Sequence, residues 1–265
     1  CYGYFKDVQK PELAASVEGN VSPNTKGWYN TDQIRMVLSY SDNKGVTGLY
    51  GKVDDGGYEE IPGVITEGGT TVTKDYTCVE GTHTYTFKAV DAAGNETVTD
   101  AMTVKLDTIK PVMGDAAFNE GYKNLWNWLI RKDSLEITIP VEEAGSGIES
   151  VDYELIPEDG STTAGRASVK KASGENSAGY TAVIYINPDF KGKIKITARD
   201  YAGNVSDTKM IGTDGSGIHG IIVEDHAPEI TFLVNGSESP EKEYEKAPTV
   251  IVTVKDDKEN AISAG

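Results

Sequence analysis

Hydrophobic and polar residues alternate in short runs along the whole chain. Leu13, Ala15 and Val17 form one such row, and Ile34, Met36 and Leu38 form another, with Arg35 and Ser39 facing the other way. Tyr85, Phe87 and Ala89, then Leu135, Ile137 and Ile139, then Ile194, Ile196 and Ala198 repeat the pattern. A period of two puts successive side chains on opposite faces of a strand, so each row predicts a strand with one buried side. The segment Val46 to Val53 reads as a further strand, closed by the turn signal Asp54-Asp55-Gly56-Gly57. Weaker strands are expected near Ile61 to Ile65 and Thr70 to Thr77. Tyr122, Leu125 and Leu129 fall near helical spacing, but the stretch Gly121 to Lys132 aligns with the segment around Trp28, which favours an extended course. About seven short strands per roughly 100 residues is the density of a β-sandwich.

The rows belong to a repeat. Asp91-Ala92-Ala93-Gly94-Asn95 returns as Asp200-Tyr201-Ala202-Gly203-Asn204, each copy preceded by an apolar row and followed by a second extended run. Gly and Asn accept positive φ at least cost, so Gly94-Asn95 and Gly203-Asn204 read as hairpin turns. Asp91 and Asp200 are placed to cap those turns by accepting from backbone N–H groups just ahead. Beyond each unit lies an Asp followed by a Pro: Asp7 and Pro11, Asp107 and Pro111, Asp225 and Pro228. These boundaries predict the end of a preceding domain at 1–7, domains at 8–109 and 110–226, and the start of another at 227–265, so the chain reads as a fragment of something longer. Trp128 takes the place of Trp28 in the second unit, and insertions at Ser161 to Ala178 and Ile211 to Gly220 lengthen it. Long surface insertions cost little, because loop-closure entropy grows with the logarithm of length. Residues 229–265 are too few for a sandwich core, and are expected to be less ordered unless they fold back as an incomplete sheet.

Charge narrows the function. The chain carries 42 Asp and Glu against 25 Lys and Arg, a formal net charge of −17, spread along its length. Such a surface repels phosphate backbones, which argues against nucleic acid and against charge-driven contact with anionic lipid. Cys1 and Cys78 are too few for a disulfide framework.

Catalytic constellations are missing from the pattern. His83, His219 and His226 stand at no metal-ligand spacing, and no nucleophile elbow or phosphate loop is present. The acidic pairs Asp54-Asp55, Glu59-Glu60, Glu142-Glu143 and Asp256-Asp257 are neighbours in sequence, so on strands they point to opposite faces and make no dyad. No enzyme and no cofactor is expected. One cation is weighed: calcium at the junctions, held by Asp7, Asp107 and Asp225 with loop carbonyls and Asp115 or Asp214 assisting, the alternative being that these aspartates are turn caps. Trp28 and Trp128 recur at one repeat position, which suits packing at a sandwich end. Trp126 has no counterpart, and is the one tryptophan that suggests a ligand contact.

With Trp28 and Trp128, the Gly147-Ile148-Glu149-Ser150-Val151-Asp152-Tyr153 run, the two Ala-Gly-Asn hairpins and the Asp-Thr-Ile-Lys-Pro boundary in hand, the chain resembles tandem bacterial immunoglobulin-like domains of large surface and secreted proteins. The resemblance implies an all-β array of sandwiches of about seven strands each, and an extracellular place at a bacterial surface. It implies a non-catalytic stalk segment whose partners are neighbouring domains of its own chain. A module binding glycan or a host surface protein through the inserted loops, or the spacer of a secreted glycanase, is the alternative.

Overall fold

The computed structural model describes residues 6–19, 22–125, 127–173, 178–212, 217–226, 229–238 and 245–255. Among these every regular element is a strand. The first unit is built from β1 (Glu12–Glu18), β2 (Trp28–Tyr29), β3 (Arg35–Ser41), β4 (Val46–Val53), β5 (Glu59–Glu60), β6 (Val72–Thr77), β7 (Gly81–Asp91), β8 (Glu96–Val98) and β9 (Met102–Leu106). One sheet has the order β1-β3-β6 and the other β2-β9-β7-β4-β5, with β8 added to β7. All pairs are antiparallel except β2 with β9, where Trp28 lies opposite Lys105.

The alternating rows explain the packing. Met36, Leu38 and Tyr40 from β3 face Tyr85, Phe87 and Ala89 from β7, all almost fully buried. Leu13, Ala15 and Val17 lean on the same core from β1, with Ala15 opposite Leu38 and Val17 opposite Met36. Tyr76 meets Phe87 edge-on with ring centroids 5.2 Å apart. Each large side chain removed from water here contributes about 1.5–3 kcal/mol.

The second unit repeats this plan with β10 (Val112–Met113), β11 (Ala117–Phe118), β12 (Lys123–Leu125), β13 (Trp128–Arg131), β14 (Leu135–Glu142), β15 (Ile148–Pro157), β16 (Thr163–Arg166), β17 (Ser168–Lys171), β18 (Gly179–Ile186), β19 (Phe190–Asp200), β20 (Lys209–Ile211) and β21 (Gly220–Val223). Its sheets run β10-β14-β18-β17, with β11 on β14, and β12-β13-β21-β19-β15-β16, with β20 on β19. The parallel pair recurs as β13 with β21, and the Trp128 ring covers Gly220, where an added Cβ would lie 2.3 Å from it. A β-bulge recurs as well, between Val46 and Gly48 and again between Ile148 and Ser150, beside the Ala-Gly-Asn turn in both units.

Three details differ from the sequence reading. Residues 61–65 make no strand: Pro62 lacks an N–H and Gly63 sits at φ +74°, so Ile61 and Val64 fill the core from a loop. The insertion at 161–178 contributes strands, β16 extending one sheet beside β15 and β17 extending the other beside β18. The run after each hairpin is split in two, since β8 pairs with the far end of β7 and β9 with its near end. The residues described within 121–132 form no helix, in line with their alignment with the Trp28 segment; β12 and β13 pair antiparallel, with Asn127 at φ +64° between them. The third unit contributes a two-stranded sheet, β22 (Glu229–Val234) with β23 (Val250–Lys255), which leaves Ile230, Phe232 and Val252 exposed.

The turn after β4 carries a pH-dependent contact. Asp54, at φ +52°, accepts from the Thr84 N–H and from His83 Nδ1 at 2.7 Å, and His83 Nε2 lies 2.7 Å from the Glu80 carbonyl oxygen. The Asp54 hydrogen bond raises the His83 pKa above its ordinary value. A raised imidazole stabilises the fold fully below its unfolded pKa, and that contribution fades as pH rises through the folded pKa. NMR titration should find His83 above about 6.5, and His83→Gln should remove this part of the pH dependence of stability; a midpoint at or below the ordinary value contradicts the contact.

Candidate functional site

The hairpin turns build the site. Gly94 at φ +84° and Gly203 at φ +101° take the left-handed conformation that closes each four-residue turn. Asp91 Oδ1 accepts from the Ala93 and Asn95 N–H groups at 2.8 Å each, and Asp200 Oδ1 accepts from Gly203 and Asn204 at 2.7 and 2.8 Å. The second oxygen of each aspartate takes the asparagine side-chain amide, at 2.7 Å from Asn95 and 2.8 Å from Asn204. The caps read from the sequence are thus in place, and the asparagines do more than turn the chain.

Each asparagine amide also reaches the linker that leads into its own domain. Asn95 donates to the carbonyls of Asp7 and Gln9 at 3.4 and 3.0 Å, and Asn204 to those of Asp107 and Ile109 at 2.9 and 3.3 Å. The linker aspartate is thereby drawn over the hairpin. Asp107 is fastened from both sides: its N–H donates to the Tyr29 carbonyl of the first unit, while its Oδ2 accepts from the Ser146 N–H of the second at 2.7 Å. Gly145 is required there, since an added Cβ would lie 2.6 Å from the Asp107 carboxylate. Further contacts cross the joint, from Asn24 Nδ2 to the Tyr201 carbonyl at 2.8 Å and from Lys26, which pairs with Glu149 and lies 4.2 Å from the Tyr201 ring centre. Pro11 and Pro111 are both buried within these linkers.

A third carboxylate completes each group. Asp42 joins Asp7 and Asp91, and Glu143 joins Asp107 and Asp200, with one oxygen from each residue within 4.8 Å of the others. Asp42, Asp91, Asp107, Glu143 and Asp200 are each no more than 5% exposed. Asp42 Oδ1 accepts from Lys44 N–H and Glu143 Oε1 from Gly145 N–H, but Asp42 Oδ2, Glu143 Oε2 and Asp7 Oδ2 are buried with no partner. Among the described residues no lysine, arginine or histidine forms an ion pair with any of the six.

The electrostatics follow from that geometry. Burial pushes the Glu143 carboxyl up, and the charges of Asp107 and Asp200 push it further. Asp200 is also raised, first by burial and then by Asp107, against the donors of Asn204 and Gly203. At Asp91 the combined donors of Asn95, Ala93 and Gly94 outweigh burial and hold it down. Two ionised carboxylates about 5 Å apart repel by about 3 kcal/mol at an effective dielectric near 20, so three together oppose folding by an amount comparable with a domain's net stability.

Sequence reasoning found four of these residues, Asp7, Asp107, Asp91 and Asp200, but assigned the pairs to separate roles. It missed Asp42 and Glu143. The signal was present: Asp42 continues the inward row Ile34, Met36, Leu38, Tyr40, and Glu143 continues Leu135, Ile137, Ile139, Val141. Asp91 and Asp200 extend their own inward rows in the same way. Asp225 joins neither of these two groups but a third, more exposed one: it lies 3.1 Å from His226, which also approaches Asp189 and Glu224, with one ligand atom from each of the four within 4.8 Å of the others. Asp115 pairs with Lys209 at the surface. Pro228, Asp214 and Trp126 lie outside the described residues.

One open groove of about 420 Å³ lies on the outer face of β15, β16 and β19, lined by Tyr153, Gly165, Arg166 and Lys195. Its charged groups are spoken for, Arg166 by Asp152 at 2.8 Å and Lys195 by Glu154 at 3.2 Å.

The fold defines a class: an all-β chain of immunoglobulin-like β-sandwiches. No known protein family matches the chain, and no curated protein does. Among solved structures it is similar to the fibronectin(III)-like modules of Clostridium thermocellum CbhA, at 14% identity over 80% of this chain and 94% of that one, with a TM-score of 0.27.

Proposed function

We propose that the chain is a non-catalytic spacer segment of a bacterial surface or secreted protein, whose modules are joined by fixed rather than swivelling junctions. The observation that carries the reading is the double fastening of Asp107, to Tyr29 of one sandwich and to Ser146 and Asn204 of the next. Thr108 adds to it by donating to Glu80 of the first unit from both its N–H and its hydroxyl. A linker whose polar groups are divided between two bodies has few conformations left, and Pro111 removes more. The acidic surface keeps such a segment soluble and free of nucleic acid. Partners are then neighbouring modules of the same chain, at an extracellular location.

Small-angle scattering of the purified chain tests this. A rod-like pair distribution is expected, with one well-defined separation between the two sandwich centres. A compact profile, with the sandwiches folded against each other, overturns the reading. The second reading, a glycan or host-protein contact, has the groove beside the inserted strand β16 as its place.

A further inference from the structure

We propose that the two carboxylate groups, Asp7 with Asp42 and Asp91 and Asp107 with Glu143 and Asp200, each bind one calcium ion, so that the chain carries a cation at the entry to each of its two sandwiches. The donor set is wholly oxygen, which suits a hard cation, and no His or Cys accompanies it to favour zinc or copper. Oxygens on opposite sides of a calcium bonded at 2.3–2.6 Å stand about 5 Å apart, and those within each group lie inside 4.8 Å. The independent observation is the unpartnered oxygens. Asp42 Oδ2 and Glu143 Oε2 belong to side chains 5% exposed and accept from nothing. Buried acceptors without donors are rare, and here each falls in a carboxylate that contributes to its cluster, at matching places in both units. A proton would satisfy one oxygen; it would leave the remaining two charges facing each other.

The arrangement also favours calcium over magnesium. Magnesium demands near-ideal octahedral geometry and keeps much of its water. These carboxylates are fixed by backbone donors, with Asp107 held by Ile109 and Ser146, Asp200 by Gly203 and Asn204, and Glu143 by Gly145. Calcium adapts to such a preset cage with seven or so ligands, water filling the remainder. Each site takes one carboxylate from the linker and two from the following domain, so occupancy fastens the linker further. This goes beyond the spacer reading and stands or falls separately from it, because binding is read by calorimetry and particle shape by scattering.

The test is calorimetric titration of the chelator-treated full chain with calcium chloride, and with magnesium chloride for comparison. Two calcium ions per chain are expected, with magnesium binding at least tenfold weaker. Asp42→Asn and Glu143→Gln, which keep shape and remove one charge, should each lower the stoichiometry to one, and the double variant to none. A second measurement guards against misfolding: in chelator both variants should melt at or above the parent, since each removes an unpaired buried charge. No heat with calcium, a double variant that still binds two ions, or variants that melt below the parent in chelator would each overturn the proposal.

Discussion

Asn204→Ala is expected to destabilise the second sandwich by about 3 kcal/mol, since it removes one charge-assisted hydrogen bond and two to linker carbonyls together. The bonds concerned are those to Asp200 Oδ2, the Asp107 carbonyl and the Ile109 carbonyl, at 2.8, 2.9 and 3.3 Å. Alanine leaves the turn itself intact, because Gly203 supplies the positive φ and the Asp200 Oδ1 bonds come from backbone. The loss therefore falls on the joint. Thermal unfolding followed by circular dichroism should show a midpoint lower by roughly 10 °C for a unit of this size. Amide exchange should rise at Ile109, whose N–H donates to Asp107 Oδ1. Asn95→Ala should act in the same direction on the first unit. A change below about 1 kcal/mol in both variants would mean that the asparagines serve the turn alone.

Most of the fold was legible in the chain because two-residue alternation is enforced by burial. The rows at Met36 and Leu38, Phe87 and Ala89, Ile137 and Ile139 are fully buried in the structure, as a sandwich requires. Failures fell where local chemistry overrode the pattern. Ile61 and Val64 are apolar and buried, but Pro62 and Gly63 prevent a ladder. Residues 163–171 carry few strand formers and still pair, because β15 and β18 offer open edges. The site was half legible for a different reason. Convergence of a linker, a strand end and a hairpin is tertiary, and no spacing encodes it. Even so, the acidic residues that close four inward rows broke the expected pattern. A carboxylate in core phase is costly unless something pays for its burial. Glu143 shows how the signal was lost: adjacency to Glu142 rightly excluded a dyad on one face, but phase alone placed Glu143 inside and Glu142 outside.

Gly45→Ala should be more damaging than its size suggests. Gly45 sits at φ +99°, where an L side chain is strained, and an added Cβ would lie 2.1 Å from the Thr66 carbonyl oxygen. That oxygen cannot swing aside cheaply. Thr66 donates its N–H to the Val46 carbonyl and accepts from Val46 N–H through its hydroxyl, and Gly69 N–H is bonded to the Asp42 carbonyl. The loop before β4 and the loop before β6 are thus clamped face to face, with Asp42 held in the clamp. Strain and displacement together should cost about 3 kcal/mol or more. Gly27→Ala separates the two contributions, since Gly27 has φ +82° but open space around its Cβ position, and should cost only about 1–2 kcal/mol. Because forcing the loops apart moves Asp42, Gly45→Ala should also weaken cation binding at the Asp7, Asp42 and Asp91 group while leaving that at Asp107, Glu143 and Asp200 unchanged. Denaturant unfolding and calcium titration of the two variants side by side measure both effects. Equal losses of stability, or unchanged binding at both groups, would show that the loop yields without moving Asp42 and that the clamp does not position it.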